Sequence, residues 1–449
     1  MKRMIGLPIL GLAALGLAAC NGSDDDDRHS FLRAMHASAD APAVNVLVDE
    51  DVRIERLDFG EASDFLRLRR GERELQVDGI LPETRQTVIE PLTLDLQRDR
   101  EYTVIALGAL EDIEPLLIEN PRNNGNDQET RLQVVHAAAD APEVSVFLTE
   151  PEQELADLEP AGSFSFRDTL GPLEVPAAAY RIRVTAVDEP ETVLFDSGQV
   201  DLAAGNLVLV AIDNPGPWEA PIRLVALQRD ESFAIFDRDT QAQLRAVHVV
   251  ADAPAVDVVA NDDFDRPLLT GLAFPEATDY LDLDPAEYNL KITPADNAGS
   301  ILVDADLSFD RGRIYSLLAT GSLGAIEPLL LTDDPRPIAT AAKVRLIHGA
   351  PSAGEVDIYV TAPRAGIDEA EPALTDVAFR DSTDYLYLAE GEYEVTVTPA
   401  GTTDAAIGPL TVDVETGGVY TAIARDAEGG GAPFDVILLD EFEAAAATP

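Results

Sequence analysis

The chain has 449 residues, enough for three or four domains of ordinary size. Acidic side chains outnumber basic ones 83 to 32, the formal charge is −51, and only Lys2, Lys291 and Lys343 are lysines. That balance excludes nucleic acid as a partner, because phosphate binding needs clustered Lys and Arg, and the single cysteine, Cys20, excludes an internally disulfide-stapled scaffold.

Met1-Lys2-Arg3-Met4 is a short basic start, and Ile5 to Ala19 is an apolar run too short to span a bilayer comfortably, so 1–19 reads as a secretory signal. The run closes on Leu17-Ala18-Ala19-Cys20, which resembles the lipobox of bacterial lipoproteins. The resemblance implies cleavage before Cys20 and acylation of its sulfur and new N-terminus. Asn21, where Asp is absent, resembles the outer-membrane sorting pattern. Each buried methylene contributes about 0.8 kcal/mol, so several acyl chains hold a protein that one would hold only marginally. Residues 20–30 then read as an acidic tether. The expected location is export and lipid anchoring to the bacterial outer membrane, facing the periplasm or the surface.

Beyond the tether one word recurs: Leu132-Gln133-Val134-Val135-His136 through Asp140-Ala141-Pro142 has counterparts at Leu32 to Pro42, Leu244 to Pro254 and, with Ser352 and Gly354 in place of Asp and Pro, from Val344. Four copies make a repeat protein. The copies occupy 31–122, 130–228, 244–336 and 343–441, with a linker at 229–243 and a tail at 442–449. Each shows short apolar alternations broken by Gly, Pro, Asp and Asn, with little helix apart from the signal peptide. This predicts an all-β chain of four tandem immunoglobulin-like, antiparallel β-sandwich repeats. In repeat 4 the expected strands are Val344 to His348, Val356 to Val360, Thr383 to Leu388, Tyr393 to Thr398, Leu410 to Val414, Val419 to Ala424 and Phe434 to Leu439.

Two intervals hold without a gap in every copy. Nine residues separate His36 from Asn45, His136 from Ser145, His248 from Asp257 and His348 from Asp357; fourteen separate Phe59 from Arg73, Phe166 from Tyr180, Phe274 from Tyr288 and Phe379 from Tyr393. Register is being kept, as β-pairing demands. Repeats 1 and 3 share the ending Ile-Glu-Pro-Leu-Leu at 113–117 and 326–330, whereas repeats 2 and 4 close on Ala220-Pro221 and Ala432-Pro433, so the copies form two pairs. A hinge is expected within 229–243, which is polar apart from Phe233 to Phe236. Four 100-residue domains in a row would span on the order of 130 Å.

At the His-x-x-x-Asp-Ala-Pro stretch followed by Val-x-Val, with a later strand carrying Tyr102, Tyr315 and Tyr420, residues 31 to 441 resemble domain-of-unknown-function family 4397. The resemblance implies secreted or lipid-anchored bacterial β-sandwich modules, often in tandem, without an assigned activity.

The candidate chemistry is the repeated His36, His136, His248 and His348 with Asp40, Asp140 and Asp252. His and Asp four residues apart could supply a metal-ligand pair or a general base with its orienting carboxylate. The histidines share strand parity with apolar residues such as Leu132 and Val134, however, while Arg33, Gln133, Arg245 and Arg345 take the other parity. They therefore read as buried pins, and the Asp residues as turn-formers. No nucleophile elbow, zinc helix or phosphate loop is present, and Asn261-Asp262-Asp263-Phe264-Asp265 lacks the glycine and distal Glu of a calcium loop. The tyrosines read as core or corner residues, and Trp218 as a loop residue. The sequence thus points to no catalytic residue, no metal and no cofactor. It suggests a monomeric, non-enzymatic envelope protein serving spacing, adhesion or binding of a protein or glycan, with the membrane reached through its acyl chains. The competing reading is a metal-dependent hydrolase or metal-binding protein built on the His and Asp positions.

Overall fold

The computed structural model describes residues 29–82, 84–122, 128–155, 158–189 and 191–442. The signal, Cys20 and most of the tether lie outside the described residues.

Repeat 1 sets the pattern: β1 (His29–Ala37), β2 (Val44–Val48), β3 (Asp51–Leu57), β4 (Leu66–Arg69), β5 (Gly71–Ile80), β6 (Arg85–Leu96), β7 (Arg100–Leu107) and β8 (Glu114–Pro121). Leu32 and Ala34 of β1, Val44, Val46 and Val48 of β2, and Leu75 and Val77 of β5 alternate at the two-residue period and meet in one core. The strands form two sheets, ordered β4-β1-β7-β8 and β3-β2-β5-β6, and the same two orders recur in the other three repeats. The chain is all-β, four sandwiches in tandem. In repeat 4 all seven expected strands appear, together with an eighth, Leu374–Val377, which pairs with Val356–Thr361 across a bulge.

One pairing in each sandwich is parallel: β1 runs alongside β7, and the equivalent strands of repeats 2, 3 and 4 do the same. This places β1 in mid-sheet with both faces covered, the usual setting of parallel strands. The parity that carries Arg33 is therefore not a solvent face. Met35, Ala37 and Ile105 from repeat 1 pack against Val135, Val208, Val210 and Leu227 from repeat 2. Val247, Val249 and Leu318 of repeat 3 meet Ile347 and Ile423 of repeat 4 in the same way. Each such buried Val, Leu, Ile or Met side chain contributes roughly 1.5–3 kcal/mol, so the pairs inferred from sequence are held by second cores.

Two expectations are corrected. Segment 229–243 is more than a linker: its apolar island forms the strand Ser232–Ile235, a fifth strand on the sheet of repeat 2. Phe236 then packs against Trp218 and so close to Gly312 of repeat 3 that a Cβ there would lie 2.3 Å from its ring. Nor are the sandwiches laid out in a row. Arg336, the last residue of repeat 3, donates to the carbonyls of Ala39 and Ala41 at 3.1 and 2.6 Å and to Asp58, all in repeat 1. Tyr387 of repeat 4 accepts from the Ala43 N–H at 3.4 Å. The ends of the array fold back on its beginning.

Candidate functional site

His36, His136, His248 and His348 end the first strand of each repeat and are all buried, at 2% exposure or less. Each Nε2 donates to a carbonyl six residues on: Pro42 at 3.0 Å, Pro142 at 3.1 Å, Pro254 at 3.0 Å and Gly354 at 2.7 Å. Nδ1 of His36, His248 and His348 accepts from the N–H two residues on, at 3.2 to 3.3 Å. A carbonyl can only accept and an N–H can only donate, so these contacts fix the neutral tautomer with its proton on Nε2. The phenylalanine of the fourteen-residue interval closes edge-on over each ring, with centroids 6.2 to 6.4 Å apart. Burial pushes the His36 imidazole down to about 4. Burial lowers His136 and His248 as well, against an opposing pull from the proline carbonyls. His136 is held through Nε2 alone, its Nδ1 being buried without a partner; an imidazole with both nitrogens committed to loop backbone, as at His36, His248 and His348, holds that loop in place. Serving as a base or metal ligand would require breaking it. Among the described residues, no three His, Cys, Asp or Glu side chains are grouped to hold a metal.

Asp40 and Asp252 act across the fold, and Asp40 also accepts from the Ser38 hydroxyl in its own turn at 3.3 Å. Asp40 accepts from the Leu110 N–H and Asp252 from the Leu323 N–H, both at 2.8 Å, stapling the first loop to the loop after the parallel partner strand. In repeats 2 and 4 the staple is reversed. Asp213 accepts from the N–H groups of Ala139 and Asp140, at 3.1 and 3.2 Å, and Asp426 from the Ser352 hydroxyl at 2.8 Å. Burial raises the Asp213 carboxyl to about 6, opposed by the two N–H donors. The change at Ser352 is thus compensated across the loop.

The nine-residue interval also has a structural cause. Asn45, Asp257 and Asp357 accept from the N–H of Arg56, Gly271 and Asp376 at 3.0, 2.7 and 2.9 Å, where the neighbouring edge strand takes positive φ. The fourteen-residue interval ends on corner residues: Tyr180, Tyr288 and Tyr393 donate to the carbonyl four residues back at 2.9 to 3.0 Å. Arg73 makes the same contact through Nε at 3.1 Å, so repeat 1 keeps the corner without a tyrosine.

Sequence reasoning missed the buried arginines. Arg33, Arg245 and Arg345 lie over the rings of Phe65, Tyr280 and Tyr385 at 4.6 to 4.9 Å. Repeat 2 has Gln133 and Pro172 at those positions, losing cation and ring together. In the second pair Asp333, wholly buried, bridges Arg245 and Arg345 at 3.4 and 2.5 Å. In the first pair the equivalent residues are Asn120 and Gln133, joined amide to amide at 2.7 Å. The recurrence of a first-strand arginine together with an aromatic ring in the Ser/Thr-Asp-Phe/Tyr word, both missing from repeat 2, was the available signal.

The sequence profile of the family described as Domain of unknown function (DUF4397) matches residues 30–147, 242–359 and 366–448. The chain belongs to the DUF4397 family. Each of the first two DUF4397 matches runs through one sandwich and into the first two strands of the next, following the pairwise packing. Residues 148–241, the bulk of repeat 2, fall outside the matches, and this is the copy without the Arg-to-ring contact. A search of curated proteins found no match.

Proposed function

We propose that this DUF4397 protein is an exported, non-enzymatic component of the bacterial envelope, held by acyl chains on Cys20 and serving adhesion or ligand binding through a compact group of four sandwiches. The observation that carries the non-enzymatic reading is the commitment of the recurrent histidines to loop backbone. Folding back of the array favours a binding or adhesion body over a long spacer. The anchor rests on the Leu17-Ala18-Ala19-Cys20 run.

Two measurements test it. Imidazole NMR signals of His36, His136 and His248, followed from pH 8 to 5.5 with and without zinc, should stay unshifted. Titration near 6.5 together with zinc-dependent shifts would instead favour the metal-dependent reading. Labelled palmitate should enter the wild-type chain in a bacterial host and not the Cys20→Ala variant; equal labelling of both would remove the anchor.

A further inference from the structure

A cavity of about 780 Å3 opens where all four repeats approach one another, lined by Phe59 of repeat 1, Trp218 and Arg223 of repeat 2, Arg313 of repeat 3 and Tyr385 of repeat 4. In a chain of charge −51 the carboxylates around it are already engaged. Asp58 accepts from Arg336, Asp334 from Lys343, Asp333 from Arg245 and Arg345, and Glu61 from the Asp58 N–H.

Arg223 is different. No hydrogen bond or ion pair joins it to a described residue, and its Nε is buried without an acceptor. Its guanidinium stands over the rings of Phe59 and Phe236 at 5.3 and 5.6 Å and lies against Gly60, where a Cβ would come within 2.5 Å of Nη2. Burial, with repulsion from Arg313 and Arg336 and against the attraction of Asp334, lowers its pKa to about 10, still fully charged at neutral pH. Trp218 lines the same cavity, and its indole Nε1 is also buried without an acceptor. Buried donors are almost always satisfied, and leaving one unmade costs about 1–3 kcal/mol, more for a charged group.

The molecule contains its own comparison. Arg425 of repeat 4 stands over Phe274 of repeat 3 at 5.4 Å, as Arg223 of repeat 2 stands over Phe59 of repeat 1. Arg425 is neutralised by Asp435, its cross-strand neighbour, at 2.6 Å. In repeat 2 the same cross-strand pair is Ile212 and Arg223: an arginine stands where repeat 4 has its acid, and an apolar residue stands where repeat 4 has its cation, so Arg223 has no cross-strand counter-charge. Repeats 1 and 3 carry Glu114 and Glu327 at the position of Arg223, each paired with an arginine of the adjoining repeat. Of these four described positions, only that of Arg223 has a charged side chain with no ion-pair partner.

We propose that Arg223, aided by Arg313 and the Trp218 N–H, binds the carboxylate or phosphate group of a small polar ligand in this cavity. A guanidinium fork matches either oxyanion in bidentate fashion, and the volume suits a ligand of up to disaccharide size. The rings of Trp218 and the exposed Phe233 offer an apolar face for the remainder of the ligand. The site does not depend on the lipid anchor or on the non-enzymatic reading.

Calorimetric titration of the full chain in mild detergent at low ionic strength, with inorganic phosphate and separately with glucuronate, tests this. Low salt matters because the attraction is screened. Saturable one-to-one binding of at least one probe is expected; which one binds distinguishes a phosphate from a carboxylate ligand. Arg223→Gln should weaken it tenfold or more, while Arg425→Gln should leave it unchanged. Should Arg223→Gln fail to fold, Arg223→Lys and Trp218→Phe should each weaken binding several-fold. Absence of saturation with both probes, or affinity indifferent to Arg223 and Trp218, would overturn the proposal.

Discussion

Replacing Asp333 by Asn should weaken the second pair of sandwiches severely. The carboxylate is wholly buried and accepts from Arg345 at 2.5 Å, Ser316 at 2.6 Å, Tyr280 at 2.7 Å and Arg245 at 3.4 Å. Asn fits the space and keeps one acceptor oxygen, but it leaves two guanidinium groups, each 6% exposed or less, without a counter-charge. Removing one partner of a buried ion pair costs about 3–5 kcal/mol. Urea unfolding followed by circular dichroism should move the transition of repeats 3 and 4 down by about 2 M, for a slope near 2 kcal/mol/M. The first pair holds Asn120 and Gln133 at the equivalent positions, so Asp333→Asn combined with Arg345→Gln should recover a substantial part of the loss. A single-variant loss below about 1 kcal/mol, or a double variant no more stable than the single one, would refute the reasoning.

The His36 imidazole has its pKa lowered by burial to about 4, below the unfolded value, so its contribution is complete above pH 6.5 and is lost as pH falls toward 4. The stability of wild type relative to His36→Gln should therefore shrink by about 3 kcal/mol between pH 7 and 4, and a pH-independent difference would contradict the burial. Tyr288→Phe removes the 3.0 Å bond to the Asp284 carbonyl and should cost about 1 kcal/mol in thermal unfolding, with Arg73→Ala costing a similar amount in repeat 1. Gly312→Ala forces a Cβ against the Phe236 ring at a φ of +66° and should both lower the melting temperature and expose 229–243 to protease. Unchanged cleavage there would detach that segment from the fold.

Much of this architecture was legible in the sequence because β-structure writes its register into spacing. The ungapped His-to-polar and Phe-to-Tyr intervals mark a pin, a bulge clasp and a corner, each closed by a local backbone partner. What spacing could not show is which elements meet across the fold. The parity of Arg33 and Arg345 reads as polar in one dimension, yet the parallel pairing buries it, and only contact with Thr103 and Asp333 shows how the charge is held. Asp40 reads as a turn residue alone because its second partner, the Leu110 N–H, is seventy residues away. Phe233 to Phe236 looked like an apolar interruption in a linker because a four-residue edge strand is too short to display its period.

The most direct test of the account is the shape of the chain lacking its leader and Cys20, measured by small-angle X-ray scattering. Four sandwiches closed on one another through Arg336 and Tyr387 should give a radius of gyration near that of a single compact body of this length, about 22 Å. A value approaching about 38 Å, that of a rod some 130 Å long, would mean that the repeats stand in a row and that the central cavity does not exist.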